Sequence, residues 1–239
     1  MNCTDLRILY EDNHIIAVEK PQNIPSAPDS SGDADMLSLV REYLKIKYNK
    51  PGNVFVGLVH RLDRPTGGVM VFARTSKAAE RLSAGLQNGE FEKRYYAVVM
   101  GAPKVKTDYL THYLLKDGDT NTTSVVPQTT AGAKPAELKY TVIESVSAQM
   151  ITLSLVAVRL ETGRSHQIRV QMSTVGHPVA GDAKYGGGKV LRGNLALWSY
   201  QLKFPHPVTK TMMSFRCIPP TDDAPWKFFR TLEADFNVL

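Results

Sequence analysis

Two short segments carry most of the side chains that could do chemistry. In the first, Asp63 stands between Arg61 and Arg64 in a turn between two apolar runs, and Gly67-Gly68 follows. Neighbouring cations favour the ionised form of a carboxylate, so we expect Asp63 to be an anion at neutral pH. Flanking strands would hold it rigidly, and the glycines would let the backbone of a ligand approach closely. The pattern fits a catalytic carboxylate, and it fits an ordinary turn carboxylate equally well.

The second segment, residues 161–170, concentrates hydrogen-bond donors at the start of a predicted helix. It contains Arg164, His166, Gln167 and Arg169. A helix start offers free backbone N–H groups that suit a phosphate, and arginine adds a planar fork for a carboxylate or a phosphate. The alternative is a capped amphipathic helix with a solvated polar face, which does not account for so many donors at the turn itself.

The elements that must position these segments are mostly strands. Because predicted strands outnumber helices and many are joined by short turns, we expect an α+β fold with a largely antiparallel mixed sheet and flanking helices. Ser76 is expected to cap the second helix, and Asn88-Gly89 to end it. The predicted strands cover residues 7–10, 14–18, 54–59, 69–73, 95–100, 109–115, 138–144, 150–158, 195–204 and 212–218, and the predicted helices cover 36–44, 76–86, 166–174 and 223–232.

The composition narrows the class of protein. The chain has 239 residues, a formal net charge of +6 and a pI of about 9.2, an excess of cations that permits an anionic partner such as RNA without demanding one. No apolar run approaches the roughly 18 residues of a spanning helix, and the N-terminus lacks a secretory pattern. Cys3 and Cys217 have no metal-type spacing, so we expect reduced thiols, no metal and a cytoplasmic protein.

Taken together, the two segments resemble the signature stretches of RluA-type pseudouridine synthases. These are His60-Arg61-Leu62-Asp63 followed by Thr66, and Gly163-Arg164-Ser165-His166-Gln167-Ile168-Arg169. Thr66-Gly67-Gly68 departs from the usual Thr-Ser-Gly of the family, and Trp198 stands where histidine is frequent. Weaker stretches agree in the order of the family: Glu11-Asp12 through Lys20-Pro21, Lys93-Arg94-Tyr95, Gly176-His177-Pro178 with Gly181-Asp182 and Tyr185-Gly186, and Leu195-Ala196-Leu197-Trp198 through Phe204-Pro205-His206-Pro207.

The resemblance implies an RNA pseudouridine synthase that isomerises uridines of ribosomal or transfer RNA. Its fold would be the pseudouridine synthase fold with a central RNA-binding cleft. Residues 1–239 would form one catalytic domain of two subdomains around that cleft, without the N-terminal S4-type RNA-binding domain of many relatives. We expect a monomer that binds RNA, with no membrane attachment, no metal and no cofactor.

The same resemblance implies roles for individual residues. Asp63 would be the catalytic carboxylate, Arg169 would pair with it, and Tyr95 would lie against the target base. Arg61 is a candidate to fill the gap that a flipped uridine leaves in its stack. Two further arginines would contact phosphates, and one lysine would lie at the cleft wall or on the RNA backbone; these are Arg64, Arg164 and Lys20.

The reaction detaches uracil from C1′, rotates it and rejoins it through C5. A carboxylate serves such chemistry as a nucleophile or as a stabiliser of positive charge on the ribose, and the sequence leaves open attack at C1′, attack on the base and deprotonation of the sugar. One rival function is a catalytically silent RNA-binding protein, which the presence of both Asp63 and Arg169 argues against. Another is a nucleoside or glycoside hydrolase that uses Asp63, for which Glu161 is the nearest second carboxylate.

Overall fold

The computed structural model describes residues 2–148, 151–187 and 193–232. Within these ranges the chain forms eleven strands and three α-helices, which confirms the predicted α+β fold with a largely antiparallel sheet. The helices are α1 (Met36–Lys47), α2 (Ser76–Gln87) and α3 (Gln167–Thr174). The strands are β1 (Arg7–Glu11), β2 (Ile15–Lys20), β3 (Gly57–Leu58), β4 (Gly67–Ala73), β5 (Glu92–Met100), β6 (Thr107–Asp117), β7 (Thr122–Val126), β8 (Lys134–Ala148), β9 (Ile151–Leu160), β10 (Leu197–Pro205) and β11 (Met212–Arg216).

The chain divides into two compact units. The first unit comprises Met1–Glu92 and Ser199–Cys217, and the second comprises Lys93–Trp198 and Ile218–Leu239. The single catalytic domain with two subdomains around a central cleft stays a prediction. None of the helices in the described ranges is both long enough and apolar enough to cross a membrane.

The sheet of the first unit is built around β4. This strand is buried along its whole length, as its run of apolar residues predicts, and it pairs antiparallel with β2. β1 pairs with the other edge of β2, and β10 follows β4 in the strand order β1-β2-β4-β10. The register sets Lys20, the last residue of β2, opposite Gly68 near the start of β4. Lys20 is thereby brought next to the segment that carries Asp63.

Local sequence signals set the bounds of α2. The hydroxyl of Thr75 caps the helix by accepting a hydrogen bond from the N–H of Ala78 at 3.1 Å. Thr75 therefore takes the role predicted for Ser76, because Thr75 still has extended backbone and Ser76 already belongs to the helix. At the other end, Asn88 is the C-cap and Gly89 has a φ of +76°, as the Asn-Gly pair predicts.

The sheet of the second unit has the strand order β5-β9-β8-β6-β7, with antiparallel pairs throughout. Helix α3 packs on this sheet. Val170 lies in an apolar cluster with Leu114 and Ala136, and Gln171 Nε2 donates to the carbonyl oxygens of Leu110 and Ala136 at 3.1 Å each. These contacts fix α3 against β6 and β8, and Arg169, which lies on α3, is fixed with it.

Two elements of the second unit differ from the sequence predictions, and a third extends beyond the described residues. β7 was not predicted, because it is short and half polar and becomes a strand through its pairing with β6. The predicted helix over residues 223–232 is wrong for most of its length: a 3-10 turn at Trp226–Phe228 follows Pro225, whose missing N–H disfavours a continuous helix. The strand predicted over residues 150–158 is β9, and its first residue, Met150, lies outside the described residues.

Candidate functional site

Asp63 opens a tight turn over residues 63–66, which we name the carboxylate turn. The Asp63 carbonyl accepts a hydrogen bond from the N–H of Thr66 at 2.9 Å, and β4 begins at the next residue. On the other side, Ser26 Oγ donates to the carbonyl of Leu62 at 2.7 Å and accepts from its N–H at 3.1 Å. The side chain of Asp63 is half-buried. Hydrogen bonds thus fix the backbone both before and after the carboxylate.

Lys20 lies beneath the carboxylate turn and has no exposed surface. Its ammonium donates to the carbonyl oxygens of Pro21, Arg64 and Thr66 at 3.0, 3.0 and 2.7 Å. Burial lowers the pKa of Lys20 to about 7, although the negative charge of Asp63 opposes the change. Lys20 therefore supports the turn from below. The prediction that it contacts the RNA backbone is corrected, because a fully buried ammonium with three carbonyl partners presents no surface to a phosphate.

Gly68, the second glycine after the turn, serves the fold. Gly68 has a φ of +124°, and a Cβ at this position would collide with the main-chain atoms of Ser199 on β10. The close approach that this glycine allows is therefore between two strands of the first unit. The expectation that the pair makes room for a ligand is wrong for Gly68.

The two arginines of the first signature have different surroundings. Arg61 is exposed. Arg64 forms an ion pair with Asp33 and lies 3.8 Å from the carboxylate of Asp29. We call residues 29–33 the acidic loop. The carboxylates of the acidic loop bind the guanidinium of Arg64, which was predicted to contact a phosphate. A phosphate at this position would therefore have to displace these carboxylates.

In the second unit, Arg169 forms a buried ion pair with Asp182. Arg169 Nε and Nη2 donate to the two carboxylate oxygens at 2.8 and 2.7 Å, and the side chains are only 5% and 0% exposed. The N–H groups of Lys184 and Tyr185 donate to the same carboxylate at 2.9 and 3.1 Å. Burial raises the pKa of Asp182, but the hydrogen bond and charge of Arg169 and the two backbone amides outweigh it and hold the pKa below its ordinary value. Asp182 is therefore an anion at neutral pH.

Tyr185 covers the face of this guanidinium. The guanidinium carbon of Arg169 lies 5.2 Å from the centroid of the tyrosine ring. The hydroxyl accepts the N–H of Thr123 at 2.8 Å and lies 2.7 Å from Nδ1 of His166. His166 has a φ of +54°, a left-handed conformation that is uncommon for a residue with a side chain. The turn before α3 is thus held by the same tyrosine that packs on the arginine.

One further cation, Lys93, lies near Arg164, the predicted phosphate-contacting residue of this unit. Tyr95 is buried on β5, and Arg164 donates from Nε to the carbonyl of Pro135 at 2.9 Å. A Cβ at Gly163 would lie 3.2 Å from Nζ of Lys93, so the ammonium of this lysine lies close to the backbone of the second signature. Burial and the charge of Arg164 lower the pKa of Lys93. Arg164 and Lys93 thus bring two positive charges to the turn before α3, where Glu161 supplies one negative charge.

Three residues of this unit received no role from the sequence, although they stand in stretches that resemble the family. The available signal was their position, either beside Tyr95 or in the spaced Gly-Asp and Tyr-Gly pairs after α3. Their partners could not be read from that position, because Asp182 meets Arg169 across 13 residues and other contacts span more. The three residues are Lys93, Asp182 and Tyr185.

The predicted site residues fall in both units. The first unit holds Asp63, Arg61, Arg64 and Lys20, and the second holds Tyr95, Arg164 and Arg169. The pairing of Arg169 with Asp63 stays a prediction. In the part of the chain that the structure describes, no three His, Cys, Asp or Glu side chains converge as metal ligands would.

Comparison with known proteins gives consistent relatives. The family model described as RNA pseudouridylate synthase matches residues 14–174. A Bacillus subtilis protein named "Uncharacterized RNA pseudouridine synthase YhcT" is 33% identical over 91% of this chain and 70% of its own length. The ribosomal large subunit pseudouridine synthase D of Yersinia pestis is 33% identical over 91% of this chain and 68% of its own length.

Solved structures show the same fold. The human RNA pseudouridylate synthase domain containing 4 superposes with a TM-score of 0.74 at 21% identity, over 90% of this chain and 88% of the human chain. The human domain containing 1 protein superposes with a TM-score of 0.76 at 21% identity, over 100% and 96% of the two chains. The predicted fold is confirmed by these neighbours.

Proposed function

The chain belongs to the RluA-type RNA pseudouridine synthases, and on this basis we propose that it isomerises uridines in ribosomal or transfer RNA with Asp63 as the catalytic carboxylate. Its enzyme class, an isomerase, follows from the family. Ribosomal RNA of the large subunit is the first substrate to test, because several relatives carry the name ribosomal large subunit pseudouridine synthase D.

The setting of Asp63 is the observation that carries the proposal. The backbone before it is held by Ser26, and the backbone after it is held by the ammonium of Lys20. A catalytic group that must reach one atom of a nucleotide needs such rigidity, because a misplacement of about 1 Å can cost about 100-fold in rate. An ordinary surface turn does not need a fully buried lysine beneath it.

The proposed reaction exchanges one bond at C1′ for another. The C1′–N1 bond breaks, the uracil turns, the C1′–C5 bond forms, the hydrogen of C5 leaves as a proton, and N1 takes up a proton. Asp63 acts on the nucleotide during these steps, and Arg169 pairs with Asp63 and aims it. Tyr95 lies against the base. Arg61, exposed beside the turn, fills the gap in the RNA stack, and Arg164 binds a phosphate.

The test is tritium release from unmodified transcripts of ribosomal and transfer RNA labelled at C5 of uridine. Bond formation at C5 expels the label, so release reports the isomerisation itself. We expect release by the wild type and a loss of at least about 1,000-fold in Asp63→Ala, because the reaction has no substitute for the carboxylate. The transcript that responds identifies the class of RNA.

Asp117→Ala is the matched control. Asp117 is also a turn carboxylate, and it accepts hydrogen bonds from Thr120 and Asp119 in the exposed β6–β7 turn. This variant should keep wild-type release. Free uracil in the products would instead indicate the hydrolase. If the protein binds RNA but releases no tritium from the transcripts or from labelled total RNA, it is the silent RNA-binding protein.

A further inference from the structure

An open groove runs along the outer side of α1 in the first unit. Its volume is about 280 Å³, and we call it the α1 groove. One wall is the helix, and the other is the chain segment that returns past the helix after its end. The lining residues are Ser38, Arg41, Glu42 and Lys45 on the helix and Gly52, Asn53 and Val54 on the returning segment. The α1 groove is therefore complete within the first unit.

The helix wall of the α1 groove is the polar side of an amphipathic helix. The hydrophobic residues that α1 buries recur at helical spacing; they are Met36, Leu39, Val40 and Leu44. Arg41 and Lys45 are exposed and lie four positions apart, so they stand on the same side of the helix with about 6 Å between their Cβ atoms. The wall thus presents two long basic side chains next to each other.

The chain that forms the α1 groove is basic. Residues 38–55 contain four basic side chains and one acidic side chain: Arg41, Lys45, Lys47, Lys50 and Glu42. Lys47 is engaged elsewhere, because its ammonium binds Glu11 at 2.7 Å. A lysine in the last helical turn complements the helix dipole, but this effect does not reach Arg41 in the middle of α1. Stabilisation of the helix therefore does not explain the arginine in the groove.

The dimensions of the α1 groove suit an extended anionic chain. Pockets that bury a small molecule usually measure about 300 to 1,000 Å³, and this groove is smaller and has exposed walls. Ser38 and Lys45 span about 10 Å along the helix axis. Basic side chains in such a row bind the successive phosphates of a nucleic-acid backbone. The groove is thus shaped for a partner that lies along it.

A protein is the alternative partner, because two apolar side chains near the α1 groove are exposed. Ile46 on α1 is 63% exposed, and Phe55, which follows the returning wall, is 49% exposed. Lysine is depleted in protein–protein interfaces, whereas nucleic-acid interfaces are rich in positive charge. The basic side chains Arg41, Lys45 and Lys50 therefore favour RNA.

Hydrogen bonds link the start of α1 to the segment that holds the carboxylate turn. The N–H of Met36, the first residue of α1, donates to the carbonyl of Pro25 at 2.9 Å. The next residue, Ser26, binds the backbone of Leu62 through its hydroxyl. Ser38, which lines the α1 groove, lies two positions beyond Met36. One end of the groove and the carboxylate turn are thus held by the same stretch of chain.

We propose that the α1 groove binds the backbone of the substrate RNA beyond the target nucleotide, with Arg41 and Lys45 on phosphates. The inference rests on the proposed function for the choice of RNA as the anionic partner. It adds a contact surface that lies outside both signature stretches. Phosphate contacts carry no sequence information, so the groove contributes affinity and alignment, and not the choice of uridine.

The test is filter binding of a labelled oligouridylate of about 20 nucleotides at a series of salt concentrations. The double variant Arg41→Gln with Lys45→Gln keeps good helix formers and removes both charges. We expect its affinity to fall about 10-fold at about 0.1 M salt. The slope of the logarithm of affinity against the logarithm of salt should fall by about 1.4, because each phosphate contact on a single strand contributes about 0.7.

Two matched controls accompany this variant. Arg41→Lys with Lys45→Arg exchanges the two cations and should bind within about twofold of the wild type. Lys104→Gln with Lys106→Gln removes the same net charge from exposed positions between β5 and β6. This second control should lose less than about threefold in affinity and keep the salt slope of the wild type. Circular dichroism verifies that each variant is folded.

Several outcomes would overturn the inference. Wild-type affinity and slope in the folded glutamine variant of the groove leave it no role, and an equal loss in Lys104→Gln with Lys106→Gln would assign the effect to net charge. If the double variant does not fold, the single variants Arg41→Gln and Lys45→Gln decide, and wild-type affinity in both rejects the proposal.

Polyglutamate of the same length is the probe for an acidic protein partner. If it binds as tightly as the oligouridylate and depends equally on Arg41 and Lys45, the α1 groove belongs to a protein and the inference falls. Failure of the proposed function gives a different pattern. The wild type would then bind the oligouridylate and release no tritium from any transcript.

Discussion

The two units bury opposite charges by different means. In the first unit, Lys20 is buried beneath the carboxylate turn and its three hydrogen bonds go to carbonyl oxygens. In the second unit, Asp182 is buried beside α3 and binds a full positive charge, that of Arg169, as well as two amides. Carbonyl dipoles compensate a buried charge less well than an opposite ion does. Accordingly, the pKa of Lys20 is lowered, which favours its neutral form, and the pKa of Asp182 is lowered, which favours its charged form.

The difference shows which part of the structure each buried ion orders. Lys20 orders a stretch of main chain, because one ammonium reaches carbonyls on both sides of a turn. Asp182 orders a side chain, because a carboxylate matches the edge of a guanidinium. The predicted catalytic carboxylate thus gains its position from the backbone, whereas its predicted arginine partner gains its position from another side chain. Replacing each ion in turn tests this contrast.

The largest effect is expected from Lys20→Met, which keeps the length of the side chain and removes its donors. Three buried carbonyls lose a partner, and we expect the free energy of unfolding to fall by roughly 3 kcal/mol. Tritium release should fall with it, since the carboxylate turn loses its support. Urea denaturation and the release assay measure the two quantities.

Lys47→Met is the control for this variant. Lys47 is an exposed lysine on α1 whose ammonium binds Glu11 at 2.7 Å. Lys47 is 44% exposed, and Glu11, which is 8% exposed, keeps Arg74 and Tyr48 as partners, so this variant should lose about 1 kcal/mol or less and keep its activity. If Lys20→Met proves as stable as Lys47→Met, the buried lysine does not support the turn.

The pH dependence of stability should separate the two buried ions. The pKa of Lys20 falls from its ordinary 10.5 to about 7 on folding. Between these values the unfolded chain binds the proton and the folded chain does not, so the free energy of unfolding rises with pH across the window from about 7 to 10. The full shift corresponds to roughly 5 kcal/mol, and we expect a rise of about 2 kcal/mol because other lysines and tyrosines titrate against it.

Asp182 should act at the other end of the pH scale. Its pKa is lowered on folding, so its contribution is complete above the ordinary aspartate value and is lost as pH falls through the lowered folded value. Urea denaturation of the wild type, Lys20→Met and Asp182→Asn from pH 3 to 10 would show both effects. A rise above pH 7 that persists in Lys20→Met would assign it to other groups.

Much of this architecture could be predicted from local sequence. The apolar run at 69–73 predicted β4, and helical spacing with an Asn-Gly stop predicted α2 within one residue at each end. The second signature predicted a helix start at His166, and α3 begins at Gln167. These elements are determined by periodicity and caps within a few residues of sequence.

The supporting residues could not be predicted, because their roles depend on distant contacts. Lys20 meets Arg64 and Thr66 across 44 and 46 residues, and nothing local distinguishes it from the many exposed lysines. The same holds for Arg64, predicted to contact RNA and found against the acidic loop. Residue type gave the chemistry of the candidate site, and the fold determines which charges are already paired.

The smallest effect concerns that exposed pair, which contrasts with the buried pair of the second unit. Arg64 is 42% exposed and its partners Asp29 and Asp33 are 38% and 54% exposed, so the contact is worth at most about 1 kcal/mol. The double variant Asp29→Asn with Asp33→Asn should therefore bind RNA about threefold more tightly at low salt, because a phosphate no longer competes with two carboxylates. The gain should vanish near 0.5 M salt, where screening acts over a few ångströms.

The control for this last experiment changes the same net charge elsewhere. Asp117→Asn with Asp119→Asn removes two exposed carboxylates from the β6–β7 turn. The free energy of RNA binding should change by less than half as much as it does in the acidic-loop variant. Filter binding at a series of salt concentrations compares the two double variants directly. Equal gains would show that net charge alone governs affinity. A gain in affinity confined to the acidic-loop variant would show that Arg64 can exchange its carboxylate partners for RNA. Arg169, by contrast, keeps its buried partner Asp182.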